Sequence, residues 1–199
     1  MLSDSEIMTL QGLYNILTPF EDKTVRERYC EWKKGNIKCL SYGLSSYGYD
    51  LRMAPELHIF KPRNSDFDFI DPKVFDTDLL DKKSNMDRDI RGAFILPAKN
   101  AGLTRSFEHI KMPANVSALC IGKSTYARCG LIVNATPIEA GWGGHLTIEL
   151  FNTTNHDLLL YPMEGIAQIL LFQGNECLND YTLRNGNYQY QTGITHAKV

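Results

Sequence analysis

The apolar residues of this chain fall in short runs broken by glycine, proline and asparagine, and that punctuation limits the fold more than any other feature. Leu57 to Phe60, Ala93 to Leu96, Val116 to Ile121 and Leu131 to Ala135 read as strands, and further strands are predicted over 145–152, 157–161 and 166–172. In His145-Leu146-Thr147-Ile148-Glu149-Leu150 the alternation is strict. It sends Leu146, Ile148 and Leu150 to one side of a half-buried strand and His145, Thr147 and Glu149 to the other. A short helix opens the chain: Ser3-Asp4-Ser5-Glu6 resembles a capping box, and Ile7, Leu10, Leu13, Tyr14 and Leu17 recur at helical spacing. Residues 22–38 are charged and fit neither period, and 76–91 reads as a solvated connection with one helical turn. Many short strands and few helical patterns predict a mainly β domain, an all-β barrel or a double sheet.

A length of 199 residues with 43% hydrophobic content suits a single domain over 1–199 with a sizeable core. After Phe172 the chain turns polar and rich in Asn, Gly, Gln and Tyr, so 175–199 is expected to be a mobile tail that can order over a ligand. The net charge of −2 gives no general attraction to nucleic acid. No run reaches the ~20 apolar residues of a membrane span and no cationic leader precedes an apolar core, so a cytoplasmic protein is expected, in the host's cytoplasm if the gene is viral. Cysteines at 30, 39, 120, 129 and 177 are odd in number, lack CxxC spacing and read as reduced packing residues.

Two features carry chemistry. Gly122, Lys123, Ser124, Thr125 and Arg128 gather a bare backbone approach, hydroxyls and two cations, which suits an anionic, oxygen-rich ligand. Glu149 adds a carboxylate on a rigid strand. Taken singly, the first also fits a solvated turn and the second a wet strand face.

Together they form a longer pattern. GKSTYARCG followed by TPIEAGWGGHLTIEL resembles the central signature of the dCTP deaminases, and five motifs of the wider trimeric dUTPase superfamily can be placed in order. Ser46 to Leu51 is similar to the first, Gly122 to Thr125 to the second, Ile138 to Gly144 to the third, Gly165 to Gln168 to the fourth, and the tail from Tyr188 to Thr195 takes the place of the fifth. SYGLSSYGYDLR over 41–52 and Asp71-Pro72-Lys73 resemble the deaminase branch. The resemblance implies a dUTPase-like distorted jelly-roll or β-clip barrel, with a short N-terminal helix and a C-terminal tail that closes over the nucleotide. It also implies a homotrimer with active sites between subunits, and inhibition by dTTP.

The implied reaction converts dCTP and water to dUTP and ammonia, supplying dUTP for dUMP and dTTP synthesis. Water attacks C4, N3 is protonated and the exocyclic amine departs. Zinc deaminases do this with H-x-E and P-C-x-x-C. That arrangement is missing here, and His58, His109, His145, His156 and His196 are scattered, so a zinc-independent route is expected. A single carboxylate can then take a proton from water and deliver it to the base. Glu149 is the candidate, Ser124 helps position the water, and Arg128 orients the carboxylate, acting within the chain or across an interface.

Carried over by position, the resemblance places the nucleotide against Lys123, Ser124, Thr125, Tyr126, Ala127 and Arg128, against Thr147, Ile148 and Glu149, and against Gln168, Tyr181 and Gln191. Mg²⁺ is expected with the triphosphate and no protein ligand is assigned to it; Asp50 either meets it through water or fixes a turn. Trp142 is equally a wall behind the nucleotide or a core residue. The tail lysine common before the family's tyrosine is Asn187 here, with Arg184 or Lys198 as substitutes. Glu139 stands where dUTPases usually carry Asp. It leaves open a bifunctional enzyme that goes on to dUMP and diphosphate, or a plain dUTPase. A non-enzymatic nucleotide-binding regulator on the same fold is the third alternative.

Overall fold

The computed structural model describes residues 1–30, 34–62 and 69–199. Helix α1 (Asp4–Tyr14) begins at the expected capping box, where Glu6 accepts from both the backbone N–H and the hydroxyl of Ser3 at 2.8 Å. Ile7 and Leu10 are its buried side chains, whereas Leu13 and Tyr14 face outward. The strands are β1 (Leu17–Thr18), β2 (Val25–Cys30), β3 (Gly35–Ser45), β4 (Gly48–Arg52), β5 (Leu57–Phe60), β6 (Leu80–Lys83), β7 (Phe94–Leu96), β8 (Ala101–Lys111) and β9 (Val116–Gly122). After the short helix α2 (Ser124–Arg128) come β10 (Leu131–Val133), β11 (Thr136–Ile138), β12 (Gly143–Asn152), β13 (Leu158–Leu160) and β14 (Gly165–Gln173). Part of the charged stretch 22–38 is therefore a hairpin, and its residues 31–33 lie outside the described set. The connection 76–91 holds a short strand between two 3₁₀ turns.

The fold is mainly β. One sheet runs β10-β12-β8-β5-β6 with β1 also paired to β8; the second runs β11-β9-β14-β4-β3-β2; β13 and β7 form a separate pair. Apolar side chains from both large sheets join one core that includes Tyr49, Leu51, Phe94, Ile110, Trp142, Ile148 and Ile169. Each such side chain, fully buried, stabilises the fold by roughly 1.5–3 kcal/mol.

Strand β8 was not among the predicted strands, and the reason lies in its buried face. Its burial alternates, yet apart from Ile110 the inward residues are Gly102, Thr104, Ser106 and Glu108. No apolar period marks it. Each inward polar group instead has a partner: Thr104 Oγ1 donates to the Glu56 carbonyl, Ser106 Oγ to the Glu108 carbonyl, and Glu108 accepts from Arg52 Nε at 2.7 Å. Arg52 is in turn capped by the rings of Tyr42 and Phe107, at 4.7 and 4.9 Å.

Strand β12 also departs from simple alternation. Its pairing with β8 steps from His145–His109 to Thr147–Arg105, so Ser106, Phe107 and Glu108 together face Leu146. A bulge of this kind re-aims side chains. Leu146, expected on the face opposite Glu149, lines the same cavity as Thr147 and Glu149.

Candidate functional site

A cavity of about 450 Å³ opens between β12, the β11 segment and the C-terminal tail. Leu146, Thr147 and Glu149 come from β12, Thr136, Pro137 and Ile138 from β11, and Glu139 and Trp142 from the turn that follows. Phe60, Phe75 and Leu103 form an apolar wall, and Tyr181, Tyr188, Gln191, Thr195, His196 and Ala197 complete the lining from the tail. An apolar enclosure with a few convergent polar groups is the usual form of a small-molecule site.

Glu149 is half-buried, with its carboxylate on the cavity and its backbone in the β12–β8 ladder opposite Leu103. Thr136 Oγ1 donates to Glu149 Oε2 at 3.2 Å, joining the two sheets. Cys120 lies opposite Thr136 in the β9–β11 pair; burial, reinforced by the Glu149 charge, pushes its thiol up to about 12. That cysteine stays protonated at neutral pH.

The tail, expected to be mobile, is tied down along its length. Gln191 extends β12 as a parallel bridge to Gly144, with His145 N–H donating to its carbonyl at 2.8 Å and Tyr190 N–H donating to the Gly143 carbonyl at 2.7 Å. Thr147 Oγ1 donates to Gln191 Oε1 at 3.1 Å and accepts from Thr195 N–H at 3.0 Å. The Trp142 indole is buried in the core, lines the cavity and donates Nε1–H to the Tyr188 carbonyl at 2.8 Å. At the far end His58 Nδ1 and His196 Nε2 lie 3.0 Å apart, with Phe75 stacked on His196.

The other predicted ligand residues gather elsewhere. Lys123 Nζ makes a 2.5 Å ion pair with Asp50, both side chains nearly buried. Gln168 stands across from Asp50 and Ile121 on neighbouring strands and donates to Ser45 Oγ at 3.1 Å. Ser124, Thr125, Ala127 and Arg128 are exposed on α2 beside this corner. None of these residues lines the Glu149 cavity. Among the described residues no ion pair or hydrogen bond links Arg128 or Ser124 to Glu149, so the expected orienting contact is not made within the chain. Tyr126 and Ile148 are core residues, and the Tyr126 hydroxyl oxygen accepts from Tyr161 N–H at 3.0 Å. Asp50, paired to Lys123, is a structural partner here.

The two substitutes for the tail lysine are also engaged. Arg184 pairs with Glu139, and the Lys198 ammonium sits over the Tyr188 ring at 5.6 Å. No group of three or more His, Cys, Asp or Glu side chains suited to a metal ion occurs among the described residues. Among the described residues no helix is long and apolar enough to cross a membrane. Among the cavity residues, sequence reasoning assigns no site role to Thr136, although it opens the TPIEAGWGG run, nor to Phe60, Phe75, Leu103 and His196; these five meet through sheet pairing and tail docking.

A family model described as dCTP deaminase-like matches residues 2–174. A protein named dCTP deaminase from Nautilia profundicola is 46% identical over 200 residues, 99% of this chain and 97% of that relative. Proteins of the same name from Helicobacter pylori and Nitrosomonas europaea are 43% and 41% identical, again over 99% of this chain and 97% and 98% of theirs. Among solved structures, a 2′-deoxycytidine 5′-triphosphate deaminase from Agrobacterium tumefaciens superposes with a TM-score of 0.56 at 17% identity. That likeness, one of fold, covers 89% of this chain and 49% of the other.

Proposed function

The chain belongs to the dCTP deaminase-like family, and on that premise we propose that it is an enzyme converting dCTP and water to dUTP and ammonia with Glu149 as general acid and base. The observation that carries the assignment is a strand-borne carboxylate, held at one oxygen by Thr136, facing a cavity roofed by the chain's own tail.

In this reading Glu149 takes a proton from water as the oxygen adds to C4, and delivers that proton to N3. The new C4 hydroxyl then gives its proton through Glu149 to the exocyclic amine. Ammonia leaves and C4 becomes a carbonyl, with the proton retained on N3 as in uracil. The carboxylate ends as it began. Trp142 and the apolar wall exclude bulk water, while Thr147 and Gln191, bonded to each other, tie strand to tail beside the base. The route requires no metal at the reacting carbon; Mg²⁺ enters with the triphosphate as part of the substrate.

Ser124, Thr125, Arg128 and Gln168 supply hydroxyl, guanidinium and amide donors for phosphate oxygens. They stand apart from the Glu149 cavity of the same chain, which fits the homotrimer that the family resemblance implies, with one subunit's phosphate residues completing the next subunit's base pocket. Ser124 and Arg128 then reach the reacting water and carboxylate across that interface. Two inactive variants, Glu149→Gln and Arg128→Ala, would regain activity on mixing and reassembly; no recovery in mixed oligomers would contradict the shared site. Nucleotides that fill the same pocket without an amine at C4, dUTP and dTTP among them, are expected to compete with dCTP.

A second reading keeps Glu139, which lines the same cavity, as the base for a further hydrolysis to dUMP and diphosphate. Its ion pair with Arg184 favours a monofunctional enzyme, since the carboxylate a second hydrolysis would use is already engaged. Chromatography of a dCTP reaction decides: accumulating dUTP supports the monofunctional reading, whereas dUMP lost in Glu139→Gln supports the bifunctional one. Named relatives over nearly the full length set aside the non-enzymatic alternative.

A further inference from the structure

The carboxylate at the centre of the proposed reaction is held on one side. Thr136 Oγ1 donates to Glu149 Oε2 at 3.2 Å, and Asn134 Nδ2 donates to that threonine oxygen at 3.4 Å. Oε1 has no hydrogen bond or ion pair among the described residues. The Asn134 backbone N–H also donates to the Glu149 carbonyl at 3.1 Å, so main chain and side chain of Glu149 are gripped by the same short segment. This segment enters the second sheet through β11, while Glu149 belongs to the first.

A glutamate's terminal torsion is broad and nearly two-fold, so packing of the stem alone does not fix which oxygen points where. One directed donor does. From this we infer that Thr136 is the positioning residue of the site: it anchors Oε2, keeps the carboxylate plane fixed, and leaves Oε1 as the oxygen that exchanges protons with water and base. The inference rests on the proposed role of Glu149 and adds a division of labour between its two oxygens.

The test compares Thr136→Val, Thr136→Ser and Glu149→Gln in steady-state deamination of dCTP. Valine keeps the branched shape and removes the donor. The expected result is a kcat lower by roughly tenfold or more with KM little changed, because a hydrogen bond to a charged group is lost at the reacting centre. Serine should restore the rate. Asn134→Leu, at an exposed position, should lower kcat in the same way by less, and it serves if Thr136→Val does not fold. If Thr136→Val merely melts earlier, with parental kcat while Glu149→Gln is inactive, the positioning role is overturned and the proposed mechanism stands. If Glu149→Gln turns over at the parental rate, the mechanism itself falls.

Discussion

Replacing Gly144 by alanine should lift the tail from the cavity without disturbing the core. Gly144 has φ +145°, a backbone geometry that suits glycine, and an added Cβ would lie 2.6 Å from the Gln191 nitrogen and 3.1 Å from its carbonyl oxygen. Those are backbone atoms of the docked tail, so a rotamer change gives no relief. Moving Gln191 away breaks at least the 2.8 Å bond from His145 N–H and the 3.1 Å bond from Thr147 Oγ1. At about 0.5–1.5 kcal/mol net for each bond, with about 1–3 kcal/mol for the strained backbone if the tail stays, the docked form loses roughly 2 kcal/mol or more. That is a fall of roughly 25-fold in the docking equilibrium. Hydrogen exchange by mass spectrometry over 175–199 should show lost protection, and KM for dCTP should rise while β9 and β14 exchange as before. Gly193→Ala, in the tail but with nothing within 4 Å of its added Cβ, is the control. A protected tail and parental KM in Gly144→Ala would refute the claim that this strand addition forms the roof.

Two further outcomes follow from other contacts. Lys123→Met strands the nearly buried Asp50 carboxylate, whose burial already pushes its pKa upward against the pull of Lys123, and should cost about 3–5 kcal/mol of stability. Adding Asp50→Asn should recover part of the lost melting temperature; no loss on Lys123→Met would contradict the ion pair. The tail's far end should respond to pH. Burial lowers the pKa of both His58 and His196; His196 and Lys82 assist at His58, where Glu56 opposes, and Lys82 assists at His196. The docked end therefore binds fewer protons than the released one. Its docking is fully present above the ordinary histidine value near ~6.5 and weakens as pH falls through the lowered values. Exchange protection of residues near 196 that is the same at pH 7.5 and pH 5.5, after correction for intrinsic rates, would contradict this.

Strands with apolar faces were legible in the sequence: Leu57–Phe60 was found with its observed bounds, and the β9, β12 and β14 segments within a residue or two at most. Where burial and hydrophobicity part company, the pattern failed. β8 is buried through Thr104, Ser106 and Glu108, and β4 holds Asp50 and Arg52 in buried pairs, so neither advertises itself by apolar alternation. For the site, Glu149, Thr147, Gln191 and Tyr181 were named and meet at one cavity; the first three lie on quoted motifs, and Tyr181 came from the wider resemblance. Thr136, though it opens the TPIEAGWGG run, and His196 were assigned no role. Those roles depend on a hydrogen bond between sheets and on a histidine contact 138 residues apart, which single-chain spacing does not reveal.

The most direct test of the central claim is turnover of dCTP with Mg²⁺ by the parent chain and by Glu149→Gln, alongside calorimetric binding of dCTP to both. The account predicts dUTP and ammonia from the parent, a rate lower by roughly 10²–10⁴ in the variant, and retained binding. A variant that binds dCTP and deaminates it at the parental rate would contradict the assignment of Glu149, and a parent that leaves dCTP unchanged would contradict the proposed activity.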